Sequence, residues 1–293
     1  MLPKELIRRI RKLEITTRKV VSDVLAGQYH SVFKGRGMAF SEVRQYQPGD
    51  EIRVIDWNVT ARMNEAYVKV FTEERELTVM LVVDVSASKE FGSRDRSKSE
   101  IAAEAAAQIA FSAIANNDRV GLILFSDRVE KTIPPKKGRK HVMRLITDIL
   151  TFKPQGKGTD LGAGLNYLSK VVKRKAVTFL VSDFLAPDYE TPMRVVGRRH
   201  DLVPVVISDP LEARLPRLGL VELEDPETGG RLLVDISNPL VRGIFAKEMG
   251  RVREERRRLF RKLSLDHVEL DAGEDHGAAL ARFFRMRARR MAA

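Results

Sequence analysis

Leu77-Thr78-Val79-Met80-Leu81-Val82-Val83-Asp84-Val85-Ser86-Ala87-Ser88 decides the fold. Seven residues without a charge, six of them Val, Leu or Met, run into an aspartate and two serines. A continuous apolar run of this length is what a strand buried on both faces of a parallel sheet requires. The same pattern recurs downstream in RVGLILFS (119–126), AVTFLVSD (176–183) and DLVPVVIS (201–208). Between these runs lie helical stretches: the Ala-rich 97–115, then 140–150, 161–172 and 191–199. Strands alternating with helices predict an α/β chain with a doubly wound, mainly parallel sheet over residues 77–210. VEKTIP (129–134) reads as a short edge strand.

Working outward, residues 1–30 carry an amphipathic helix, with Leu6, Ile10, Leu13, Thr17, Val20 and Val24 at three- and four-residue spacing. Residues 31–76 have short strand-like pieces and a Pro48-Gly49-Asp50 turn, which predicts a small β-rich module. Residues 219–237 read as a β-hairpin turning at Pro226 and Gly229-Gly230, which could join that module. Residues 238–293 supply a long basic helix (239–263), a last strand (266–270) and a closing helix (277–290) that complete the α/β domain.

Composition narrows the function. The 293 residues are 43% hydrophobic and 31% charged, which excludes a wholly disordered or collagen-like chain. There is no Cys, so disulfides, Cys-ligated zinc, iron–sulfur clusters and thiol nucleophiles are excluded. No stretch has the roughly 18 apolar residues of a membrane span, and the charged N-terminus has no signal-peptide pattern. A cytoplasmic protein is expected. The net charge of +12 is concentrated in residues 1–25, 251–263 and 282–290, which leaves the middle of the chain near neutral. Glu–Arg pairs on solvated helix faces account for such runs. RNA or anionic-membrane binding through these helices is the alternative.

Chemistry is expected at the carboxyl ends of the strands, where open α/β sheets bind ligands. There the sequence places Asp84-x-Ser86-x-Ser88, Ser182-Asp183 and the glycine-flanked Gly156-Lys157-Gly158-Thr159-Asp160 loop. Such residues also serve as ordinary helix N-caps. As a set, however, they are hard oxygen donors without His or Cys, which suits Mg²⁺ or Mn²⁺ and disfavours zinc. The five His have no metal spacing, and Ser86 has no evident His base. Gly35-Arg36-Gly37 lacks a phosphate-cradling pattern. An Mg²⁺-dependent phosphatase or hydrolase using Asp84 is a competing reading. It lacks the second acid that a DxD arrangement would put at position 86.

Asp84-x-Ser86-x-Ser88, Thr159 and Asp183 resemble the metal-ion-dependent adhesion site of von Willebrand factor type A domains. The resemblance implies direct binding of the ion by the Ser86, Ser88 and Thr159 hydroxyls, with Asp84 and Asp183 binding directly or through water. Lys89 and Phe184 depart from the pattern, the latter standing where glycine is usual. Upstream, Arg44-x-Tyr46-x-Pro48-Gly49-Asp50, Arg53, Asp56-Trp57, Ala61-Arg62 and Phe71-Thr72-Glu73-Glu74-Arg75-Glu76 are similar to the family called domain of unknown function 58, over at least residues 35–236. That resemblance implies a von Willebrand A-like domain with an extra β module and partnership with a MoxR-type AAA+ ATPase. The partner would offer an acidic residue to the ion, and no catalysis is implied. Arg44, Asp50, Arg53, Asp56 and Arg62 read either as ion pairs pinning the module or as a docking surface. Trp57 is expected in the core, and Phe283-Phe284 as a packing anchor.

Overall fold

A computed structural model describes residues 29, 32, 39–63, 65–72, 76–86, 97–224 and 229–292. The expected N-terminal helix from Leu6 to Val24, Ser88 and Lys89 lie outside the described residues. The chain divides into two compact units, one of residues 33–77 and one of residues 1–32 with 78–293.

The larger unit is built on a six-stranded sheet. Its strands are β3 (Thr78–Asp84), β4 (Arg119–Phe125), β5 (Val129–Lys136), β6 (Val177–Ser182), β7 (Asp201–Ser208) and β10 (Val268–Asp271), in the order β10-β7-β6-β3-β4-β5. All neighbours are parallel except the edge strand β5, which pairs antiparallel with β4. The doubly wound, mainly parallel α/β sheet expected from the apolar runs is therefore present. From β3 the chain moves outward to β4 and β5, then returns to the other side of β3 as β6. The topological switch point falls between β3 and β6, where such sheets open a crevice at their carboxyl ends.

Helices cover both faces, as parallel strands require. On one face α2 (Lys98–Ala115) packs with α3 (Arg139–Thr151) and α8 (His276–Ala292). Helix α2 begins with a capping box, Ser97 Oγ accepting from Glu100 N while Glu100 returns a bond to Ser97 N. Its buried alanines, among them Ala103, Ala106, Ala107 and Ala110, let it lie close to the strands. Phe283 and Phe284 anchor α8 in the core as expected, Phe284 meeting Tyr29 edge-on with centroids 6.0 Å apart. On the other face α4 (Leu161–Val171), α5 (Glu190–Arg199) and α7 (Pro239–Lys262) bury Leu161, Leu165, Met193, Val196 and Phe260 against Met80, Val82 and Leu180. Gly164 of α4 is required by this closeness, since a Cβ there would sit 2.9 Å from the Phe125 ring.

Strands β8 (Leu220–Glu224) and β9 (Arg231–Asp235) form the expected hairpin as a separate two-stranded sheet. The short α6 (Pro210–Ala213) follows β7. In the smaller unit β1 (Ala39–Gln45) pairs antiparallel with β2 (Tyr67–Thr72), and α1 (Trp57–Met63) lies between them in sequence. Arg44 and Asp50 make a two-bonded ion pair at 2.6 and 2.8 Å, and Asp56 accepts the Asn58 and Val59 N–H groups that open α1. These contacts brace the module. Trp57 corrects the expectation for it: the residue opens α1 and is 66% exposed, not in the core. A seven-residue helix has no buried residue of its own to carry the indole inward.

Candidate metal site at the carboxyl edge of the sheet

The ladder brings the expected ligands to one edge. Asp84 ends β3 opposite Phe125 of β4, and on the other side Val83 stands opposite Val181 of β6, which puts Ser182-Asp183 beside it. The Gly156–Asp160 loop is tied to the end of β4 by a hydrogen bond from Asp160 N to Ser126 O, 2.9 Å. Asp84, Ser86, Asp183 and the Thr159 loop therefore share the switch-point edge. Ser88 lies outside the described residues.

Asp84 is only 1% exposed, and both its oxygens are oriented. Oδ1 accepts from Ser86 N at 2.9 Å and Oδ2 from Ser182 Oγ at 2.7 Å. A buried carboxylate with so little water needs donors or a cation. Asp183, also buried, has a cation within the chain. Lys98 Nζ lies 2.9 Å from its Oδ2 and also pairs with Glu212, and Lys98 is 2% exposed. Burial pulls the Lys98 pKa down, but Asp183 and Glu212 together outweigh it and hold the ammonium charged. Arg256 donates to the main-chain oxygen of Asp183, 2.9 Å. Asp183 and Glu212 are thus met by Lys98 and Arg256, while the Ser86 and Ser182 groups that hold Asp84 are neutral donors. The donors fit a hard cation, with one departure from the sequence reading: Asp183 shares its charge with a lysine.

Phe184 explains the other departure. Its φ is +58°, in the left-handed region that glycine adopts without strain. The strain is offset by burial, because the ring packs edge-on against Tyr189 (5.7 Å) and Phe260 (5.3 Å).

The Thr159 loop is held by two carboxylates that sequence reasoning missed. Glu130 Oε1 accepts from Ser126 Oγ (2.6 Å), Gly156 N (2.8 Å) and Gln155 N (3.0 Å). Burial pushes the Glu130 pKa up, but these donors and Arg128 bring it below the ordinary value. Asp127, lowered first by its bond to Arg128, also takes the Lys157 and Gly158 N–H groups. The loop's amides are therefore committed to the chain's own carboxylates and not to a phosphate. A Cβ at Gly156 would lie 2.2 Å from both Ser126 Oγ and Asp127 Oδ1, so these side chains would have to shift to admit one. The pointer in the sequence was Ser126-Asp127-x-x-Glu130, directly after a buried strand.

The basic run on α7 is mostly spent within the chain. Among the described residues Arg251, Arg256, Arg257, Arg258, Arg261 and Lys262 all have acidic partners. On α8, Arg287 and Arg290 pair with Asp201 and Asp266.

Comparison with known proteins bears on the block around Arg44 and Asp50 as well as on the sheet. A family model described as "Protein of unknown function DUF58" matches residues 42–255. The chain belongs to the DUF58 family. Two relatives, Uncharacterized protein Rv1480 of Mycobacterium tuberculosis and Uncharacterized protein Mb1516 of Mycobacterium bovis, are 32% identical over 283 residues, covering 96% of this chain and 89% of theirs. Solved structures similar to this DUF58 chain include BatB from Bacteroides thetaiotaomicron, at 16% identity and TM-score 0.47 over 73% of this chain and 99% of that one. Another is a von Willebrand factor type A protein from Catenulispora acidiphila, at 12% and 0.36, covering 88% of this chain and 50% of that one. The fold assignment rests on the strand order itself. Among the described residues no helix is long and apolar enough to cross a membrane.

Proposed function

We propose that this DUF58 chain is a non-enzymatic, divalent-cation-dependent docking module for a protein partner, a MoxR-type AAA+ ATPase, in the cytoplasm. The observation that carries this reading is the buried Asp84 carboxylate at the switch point, oriented by Ser86 and Ser182 beside Asp183. Asp84, Ser86, Ser88 and Thr159 would hold Mg²⁺ or Mn²⁺, and Asp183, backed by Lys98, would add charge from the β6 side. The ion would supply one further oxygen-accepting position, which suits a Glu or Asp of the partner. The chain's own residues orient the donors and keep bulk water from Asp84.

An aspartyl nucleophile has less support. Both Asp84 oxygens accept hydrogen bonds inside the protein, and the residue two positions on is Ser86. Nucleic-acid binding through the basic helices also has less support, because at most of the arginines of 251–262 phosphate would have to displace an acidic partner. The test is a pull-down of purified MoxR-type ATPase from the same organism with the full chain. Binding is expected in Mg²⁺, to be lost in EDTA, and to fall at least tenfold with Asp84→Ala or Thr159→Ala. Binding unchanged across these conditions overturns the metal bridge.

A further inference from the structure

Beside the metal edge, the carboxyl ends of β6 and β7 and helices α6 and α7 enclose a cavity of about 250 Å³. Its walls combine apolar surface from Leu185, Ile207 and Met249 with the arginines Arg214, Arg253 and Arg256. The acids that also line it, Asp183 and Glu212, are already paired with Lys98. Arg214 and Arg253 have no ion pair among the described residues, and Arg253 stands alone in this among the basic residues of 251–262.

Arg256 is the most buried of the three arginines. It is 7% exposed; one terminal nitrogen donates to the Asp183 carbonyl and the other lies 3.7 Å from Glu269. Its Nε is buried and has no hydrogen-bond partner. A guanidinium is built for two parallel bonds to one carboxylate, and an idle buried N–H is costly. Glu269 is claimed at closer range by Arg257, at 2.5 Å, so it leaves Arg256 incompletely compensated.

We propose that this cavity is a carboxylate-binding site that takes a glutamate side chain of an acidic peptide. The head group would meet Arg256, Arg253 and Arg214, and its methylenes would lie on Leu185 and Met249. The volume falls below the roughly 300–1,000 Å³ of sites that enclose drug-sized ligands, so one side chain fits and a nucleotide does not. Apolar walls beneath a cluster of guanidinium groups favour a carboxylate on a carbon stem over bare phosphate. The cavity shares Asp183 with the metal site, but none of its three arginines is a candidate ion ligand.

The test is an NMR titration that follows the arginine Nε–H signals of the ¹⁵N-labelled full chain in EDTA. Failure to bind an ion then has no bearing on the outcome. The probes are acetyl-Leu-Glu-Leu-amide, its Gln counterpart and inorganic phosphate. The Glu peptide is expected to shift the Arg256 Nε–H saturably, and the Gln peptide is not. Arg253→Met, at a half-buried surface position that leaves the Arg256 anchor intact, is expected to weaken the Glu peptide at least tenfold while the backbone amide spectrum stays folded. Equal binding of the Gln peptide, no shift with the Glu peptide, a shift with phosphate alone, or an unaffected Arg253→Met protein would each overturn the assignment.

Discussion

Lys98 stands in the first turn of a helix, yet it is buried as the counter-ion of Asp183 and Glu212. Its removal would leave the buried Asp183 and the half-buried Glu212 without this cation, and truncating one partner of such a set costs about 3–5 kcal/mol. Lys98→Met is therefore expected to lower unfolding stability in urea by that amount, and a loss below about 1 kcal/mol would contradict the role. Phe184 makes a second prediction. Phe184→Ala keeps the left-handed strain and loses the contacts with Tyr189 and Phe260, so a loss of about 3–5 kcal/mol is expected. Phe184→Gly relieves the strain and should cost measurably less than Phe184→Ala in the same denaturation assay. At this scale the sequence was legible where a residue's role follows from its local pattern, as for Asp84 after an apolar run. It was not legible for Lys98 and Trp57, whose surroundings come from distant segments or from a helix too short to bury its own first residue.

At the scale of elements, the buried strands announced themselves because a strand covered on both faces has no polar positions to spare. All the strands and helices expected between residues 77 and 210 are present within a few residues of their expected bounds. The antiparallel direction of β5 was not legible, since direction depends on the tight turn after Ser126 and not on apolar content. That same turn carries Asp127, and Glu130 follows at the start of β5; both bind the Thr159 loop and match no motif by themselves. Glu130 accepts three hydrogen bonds, and its depressed pKa means the loop's anchorage is complete above the ordinary 4.5 and is lost as pH falls through the lower folded value. Hydrogen exchange at Gly156, corrected for intrinsic rate, is thus expected to accelerate as pH drops below about 4.5 in the wild type. With Glu130→Gln the exchange should be faster at neutral pH and lose that acid dependence. Identical profiles for the two proteins would show that the loop is held some other way.

For the whole molecule, the charge surplus of +12 proved a weak guide. Most of the basic residues of α7 are answered by acids on the same helix or on adjoining elements, so the net figure describes solvated faces more than a binding groove. The candidate site is instead a small set at the switch point, where chain topology brings β3, β6 and the loop before α4 to a common edge. The candidate ligands could be named from the sequence because each ends a strand or opens a helix. Their electrostatics could not, because Lys98 and Glu212 enter from segments 85 and 29 residues away from Asp183. The central claim is that this edge holds a divalent cation. Calorimetric titration of Mn²⁺ into the purified, EDTA-stripped full chain tests it most directly, alongside folded Asp84→Asn and Thr159→Ala proteins. One ion per chain is expected in the wild type, with affinity at least tenfold weaker in each variant; no saturable binding, or equal binding by all three proteins, would contradict the account.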